Sequence, residues 1–215
     1  AENAHTAEVL AHTEGLQEAL FEEIRNRIQE TDLSVPTRRR DHWYYSRSIE
    51  GQQYPVWCRV PAQPTDVDPP DPDSADVIAR EQVLLDANHE AAGGDYFSLG
   101  VLDLSPDGAA LAWAADRNGS ERHTLRFRDV SGPSSGSDRD DVIEGVYYGS
   151  AWSADGRSFF YTRPDDAMRP FEVWRHDLGT DPDDDVLVHR EVDERFFCSV
   201  GNTKDREWVV LAIGS

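Results

Sequence analysis

The chain has 215 residues, with 42 Asp and Glu against 21 Lys and Arg, a formal net charge of -21 and 38% hydrophobic residues. A nucleic-acid binder needs clustered cations to displace condensed counterions, so this balance excludes duplex DNA or RNA as a partner. No run approaches the ~20 apolar residues that span a bilayer, and the N-terminus lacks the basic-then-apolar order of a signal peptide, so no membrane partner is expected.

From residue 1 to about residue 30 the pattern is helical: Val9, Leu10, Leu16, Leu20, Ile24 and Ile28 recur at spacings of three and four and form one apolar stripe that needs a surface to pack on. Thr13, followed by Glu14 and Glu18, predicts an N-cap, hence a short helix and then a longer one. After Pro36 the helical period stops. Trp43-Tyr44-Tyr45-Ser46-Arg47 and Tyr54-Pro55-Val56-Trp57-Cys58-Arg59 flank a turn at Glu50-Gly51 and predict a hairpin. Residues 61–76 hold five prolines and five aspartates with almost no apolar content, which predicts a solvated loop. Strand signals resume at Val83-Leu84-Leu85.

An internal repeat follows. Leu102-Asp103-Leu104-Ser105-Pro106-Asp107-Gly108, with Leu111-Ala112-Trp113 behind it, recurs 48 residues later as Ala151-Trp152-Ser153-Ala154-Asp155-Gly156 with Phe159-Phe160-Tyr161. The same offset carries Arg126-Phe127-Arg128-Asp129-Val130 onto Trp174-Arg175-His176-Asp177-Leu178. A degenerate third copy reads Cys198-Ser199-Val200-Gly201-Asn202-Thr203-Lys204-Asp205, then Trp208-Val209-Val210-Leu211. Apolar strands joined by Ser-x-Asp-Gly turns at this period describe a four-stranded propeller blade, each Asp-Gly serving a turn that needs positive φ. A β-sandwich also yields short strands, but it does not predict one turn sequence at a fixed offset.

The expected fold class is therefore mainly β: a partial β-propeller of about 3.5 four-stranded antiparallel blades after an N-terminal helical segment. The blades fall near residues 41–86, 99–143, 150–190 and 196–215. An open array leaves a sheet edge unpaired, and the chain starts at Ala1 with Met168 as its one methionine, so a chain cut at both ends is expected.

Candidate chemistry is sparse. Gly132-Pro133-Ser134-Ser135-Gly136 matches G-x-S-x-G, but its flanks are polar, where a nucleophile elbow needs a buried strand before the serine and a helix after it. The histidines at 5, 12, 42, 89, 123, 176 and 189 show no metal-ligand spacing, and His176 falls where the preceding repeat has Arg128, which predicts a structural position. The acidic runs at residues 66–76 and 181–185 lack the alternating order and distal Glu of a calcium loop. Trp113, Trp152, Phe159, Phe160, Phe171, Trp174, Phe196, Phe197 and Trp208 lie on predicted strands and read as packing between blades, whereas Tyr96-Phe97 precedes a blade and is a candidate channel lining. Cys58 and Cys198 are too few for a disulfide framework and are expected as buried reduced thiols. No catalytic, cofactor-binding or metal residue is expected in these residues, and no cofactor. The acids include 26 Asp and the bases 20 Arg, with Lys204 the one lysine; adaptation to high salt and a GC-rich genome are both open as causes.

Several runs in order resemble the oligopeptidase B branch of the prolyl oligopeptidase family of serine peptidases: residues 41–59 (DHWYYSRSIEGQQYPVWCR), 83–100 (VLLDANHEAAGGDYFSLG), 124–129 (TLRFRD) and 173–180 (VWRHDLGT). The resemblance implies that residues 1–36 are a helical segment docking on an α/β-hydrolase domain not included in these residues, and that residues 37–215 begin a seven-bladed propeller. It also implies cytoplasmic hydrolysis of oligopeptides after Arg or Lys by a Ser-Asp-His triad, the propeller filtering access. The triad lies in the family's C-terminal half, so this chain alone is expected to be inactive. The alternative is a non-catalytic propeller that binds basic peptides.

Overall fold

The computed structural model describes residues 2–133 and 135–215. The chain divides into two compact units, residues 1–88 and 89–215. No helix among the described residues is long and apolar enough to cross a membrane.

The first unit opens with helix α1 (Glu2–Leu10), a 3-10 turn and helix α2 (Glu14–Arg25). The cap expected at Thr13 does not form. Its backbone stays helical (φ -97, ψ -5), because the chain passes through the 3-10 turn without extending, and its hydroxyl donates to Leu10 O at 2.7 Å. The stripe of Val9, Leu10, Leu16, Leu20 and Ile24 is exposed, with Phe21 beside it; Ile28 is exposed beyond the end of α2.

A five-stranded antiparallel sheet follows, built from β1 (Asp32–Leu33), β2 (Thr37–Arg39), β3 (His42–Ser48), β4 (Val56–Pro61) and β5 (Gln82–Asp86). The predicted hairpin is β3–β4, turning at Gly51 with φ +79. Strands β1 and β2 both pair with β3 and are additions to the sequence reading. The acidic, proline-rich stretch is not wholly solvated loop. Asp66 accepts from Gln63 N (2.7 Å) and Trp43 Nε1 (3.3 Å), and Ser74 caps helix α3 (Ala75–Arg80) through Val77 N. Val77 thereby joins Trp43, Tyr45, Val56, Cys58 and Val60 in the core of this unit.

The second unit is a run of antiparallel meanders. One four-stranded sheet comprises β6 (Ser98–Leu104), β7 (Ala110–Asp116), β8 (His123–Asp129) and β9 (Asp138–Val146). The next comprises β10 (Ser150–Trp152), β11 (Ser158–Pro164), β12 (Pro170–Asp177) and β13 (Val186–Arg190), and a two-stranded sheet pairs β14 (Phe197–Asn202) with β15 (Val209–Gly214). These are propeller blades, and the described residues do not close them into a ring. Every residue of β7 is buried, and the small side chains of Ala110, Ala112 and Ala114 let large aromatics pack across the face. Phe127 meets Trp152 (5.8 Å) and Phe159 (5.4 Å) edge to face, joining the two four-stranded sheets. Burying such a ring contributes about 2–3 kcal/mol, so this contact sets the spacing of the blades.

Candidate functional site

In a meander, alternate connections lie at opposite ends of the sheets. At one end lie the three repeated turns. Ser105 Oγ donates to Asp107 Oδ1 (2.6 Å), Ser153 Oγ to Asp155 Oδ1 (2.7 Å), and Thr203 Oγ1 to Asp205 Oδ1 in the third copy. Each turn closes three residues after the hydroxyl, Gly108 N on Ser105 O (2.8 Å), Gly156 N on Ser153 O (3.0 Å) and Arg206 N on Thr203 O (2.8 Å). The closing residue has positive φ every time: +72, +69 and, for Arg206, +60. Arginine in a glycine's place is a strained choice, and its side chain makes use of it. Arg206 donates to Leu104 O and to Asp103 Oδ1, both at 2.8 Å, while Trp152 Nε1 donates to Asp103 O (3.2 Å) and Asn202 Nδ2 to Trp152 O (2.9 Å). Three successive first strands are thus cross-linked at equivalent positions.

Between the two four-stranded sheets at this end is a buried polar cluster. His176 is fully buried; its Nδ1 lies 2.7 Å from Asp185 Oδ1 and its Nε2 lies 3.1 Å from Asp141 Oδ1. Asp185 also accepts from Tyr161 OH (2.7 Å), and Asp141 from Gly179 N (2.7 Å). The imidazole stacks on Phe127 at 5.6 Å. An open depression of about 660 Å³ lies beside Asp141, lined by Asp138, Asp140, Asp181 and Arg139 among others, with Arg139 paired to Asp129.

At the opposite end, the β7–β8 loop meets the β9–β10 connection. Asp116 is buried and organises the loop: Oδ1 accepts from Asn118 N (2.9 Å) and Gly119 N (3.1 Å), and Oδ2 from Glu121 N (2.8 Å). Burial pushes its carboxyl up, but these amides outweigh that and hold it below the usual carboxylate range. Glu121 at the tip has φ +59. Its Oε2 lies 3.4 Å from Tyr147 OH, and Tyr147 and Tyr148 meet edge to face at 4.9 Å. Tyr148 also packs on His123 at 5.0 Å and is 45% exposed. Both phenols are pushed up, by burial first and then by the Glu121 charge, with Tyr96 and Asp116 adding to the field at Tyr148. The connection itself is pinned: Tyr147 N donates to Thr162 O (2.8 Å), and Thr162 Oγ1 to Tyr148 O (2.6 Å). The neighbouring cation is turned away, for Arg122 donates to Asp165 O (2.8 Å) and Pro164 O (3.4 Å).

The residues singled out from sequence are dispersed. Ser134 lies outside the described residues; Gly132 and Gly136 flank it in the loop between antiparallel β8 and β9, with φ +72 and +87. His5 and His12 sit on the exposed N-terminal segment, His12 bonded to Val9 O, and His176 holds the buried cluster. Cys58 and Cys198 are buried and unbridged. Phe97 is buried, and Tyr96 faces solvent near the tyrosine pair. Sequence reasoning missed Glu121, Tyr147 and Tyr148. A signal existed: the 48-residue offset puts Leu99-Gly100 where the second copy has Tyr147-Tyr148. Among the described residues no group of His, Cys, Asp and Glu is placed to hold a metal ion.

A family profile described as prolyl oligopeptidase, N-terminal beta-propeller domain, matches residues 1–215. Dipeptidyl aminopeptidase BI of Pseudoxanthomonas mexicana is 36% identical over 219 residues, covering 100% of this chain and 30% of that protein. Protease 2 of Moraxella lacunata is 30% identical, over 98% of this chain and 29% of that protein. Among solved structures, oligopeptidase B from Trypanosoma brucei with covalently bound antipain superposes with a TM-score of 0.83 at 28% identity, covering 100% of this chain and 28% of that one. Oligopeptidase B from Leishmania major gives 0.83 at 25% identity, over 97% and 28%. The chain spans less than a third of the length of these relatives.

Proposed function

This chain belongs to the prolyl oligopeptidase family, in its N-terminal β-propeller domain, and on that premise we propose that it serves a cytoplasmic serine oligopeptidase that hydrolyses short peptides after Arg or Lys. The carrying observation is the match over the whole chain together with the TM-score of 0.83 to the Trypanosoma brucei oligopeptidase B at 28% identity. In this reading the blades admit oligopeptides and keep folded proteins from a catalytic domain outside these residues, and the exposed stripe of Leu16, Leu20, Phe21 and Ile24 on α2 docks on that domain. An apolar stripe of this size in water is a cost unless something covers it. The nucleophile, base and oxyanion donors belong to that domain, so the chain alone does no chemistry.

A second reading has its own support, since the relative at 36% identity is named a dipeptidyl aminopeptidase. It predicts removal of dipeptides from a free amino end rather than internal cleavage. One assay decides: the protein joined to its catalytic domain is given an arginyl coumarin amide with a blocked amino group and a dipeptidyl coumarin amide with a free one. Release from the blocked substrate supports the oligopeptidase reading. Release from the free one alone overturns it.

A further inference from the structure

We propose that Glu121, Tyr147 and Tyr148 form a subsite for a cationic side chain, a guanidinium or an ammonium, of a bound peptide. That the cation comes from a peptide rests on the peptidase reading; the chemistry of the subsite does not.

Three observations lead there. First, among the described residues no cation pairs with the Glu121 carboxylate: its side chain meets Tyr147 OH at 3.4 Å, and Arg122 beside it is spent on the carbonyls of Pro164 and Asp165. Second, the loop that carries the carboxylate is organised. Three backbone amides of its loop, its own included, bond to Asp116, and the backbone at Glu121 adopts φ +59, which residues with a Cβ seldom do. Asp116 is itself saturated by those amides and does not compete for a ligand. Third, the wall is aromatic: Tyr148 is 45% exposed and meets Tyr147 edge to face at 4.9 Å, and the pair's backbone is pinned to Thr162.

A carboxylate on an organised loop beside an exposed tyrosine suits a cation, which gains an ion pair and a π face together. An anion meets repulsion from Glu121 and Asp116, and an apolar cap would bury a carboxylate without a partner. The net charge of -21 raises the local concentration of cations over the whole surface.

The test titrates this chain with acetyl-arginine amide and with its neutral isostere acetyl-citrulline amide, following the tyrosine resonances. Binding of the arginine probe is expected in the millimolar range, at least tenfold tighter than citrulline, and weakened at least tenfold by Glu121→Gln. Tyr148→Ala is expected to weaken it several-fold. Melting curves of both variants confirm the fold, and Glu121→Gln is an exposed, isosteric change that leaves it intact. Equal binding of the two probes, or unchanged binding by Glu121→Gln, overturns the subsite. Cation binding here combined with no cleavage of the blocked arginyl substrate overturns the peptidase reading and leaves the subsite standing.

Discussion

Replacing His176 by Leu removes the centre of the buried cluster while keeping its volume nearly constant. In the native protein His176 separates two buried carboxylates and bonds to both, 2.7 Å from Asp185 and 3.1 Å from Asp141. After the substitution Asp185 keeps Tyr161 OH and Asp141 keeps Gly179 N, but each loses its bond to the imidazole. Leaving buried carboxylates short of a bonded partner costs about 3–5 kcal/mol. For a domain of this length about 1 kcal/mol moves Tm by roughly 2–4 °C, so a fall of about 6–20 °C is expected by circular dichroism. A double-mutant cycle isolates the interaction: with Asp141→Asn already present, His176→Leu should cost less by about 1–3 kcal/mol, since one of the stranded charges is gone. Strict additivity in that cycle, or a Tm loss below about 2 °C for His176→Leu, would mean that the cluster is satisfied some other way.

Two further substitutions and reagents probe the repeat and the first unit. At Arg206, glycine removes the strained φ of +60 along with the bonds to Asp103 and Leu104, whereas alanine removes the bonds and keeps the strain; Arg206→Gly should be the milder change by about 1 kcal/mol in urea unfolding, and an alanine variant as stable as the glycine one refutes the strain argument. The Cys58 thiol is pushed up to about 12, by burial first and then by the Glu81 carboxylate that Arg47 and Tyr45 hold beside it. Because the folded value lies above an unfolded value of about 8.5, its contribution to stability is complete below that value and is lost as pH rises from about 8.5 through 12. Peptide-resolved thiol labelling at pH 8 should therefore modify Cys58 only after denaturation; rapid native labelling contradicts the burial.

What could be read from sequence was set by periodicity. The turns at Ser105, Ser153 and Thr203 are legible because each needs the same hydroxyl, carboxylate and positive-φ residue at the same spacing, and the strands between them are long enough to show alternation. Strands β1 and β2, with two and three residues, are too short to carry a period, and they exist only because β3 offers its edge. Helix α3 was hidden by its neighbours: the aspartates and prolines before Ala75 read as solvated chain, while Ser74 caps a turn whose single buried residue, Val77, leaves no stripe to detect. The cap at Thr13 failed because a 3-10 turn already supplied the chain's direction, which no side-chain pattern announces.

The repeat also shows where to look for function, through the positions at which one copy departs from another. Gly108 and Gly156 become Arg206, and the new side chain is spent on Asp103 and Leu104. Arg128 becomes His176, and the new ring is spent on Asp141 and Asp185. Both departures are consumed by packing between blades, so stability accounts for them. Leu99-Gly100 becomes Tyr147-Tyr148, and here the bookkeeping does not close inside the chain. Gly100 is required where it stands, because a Cβ there would lie 2.4 Å from His123 Nε2, whereas Tyr148 extends past that same histidine into solvent. A blade that needed only to pack had no reason to place in water an aromatic ring and a carboxylate that meets no cation among the described residues. That unspent pair, rather than the repeat itself, is where the chain has chemistry left to offer a ligand.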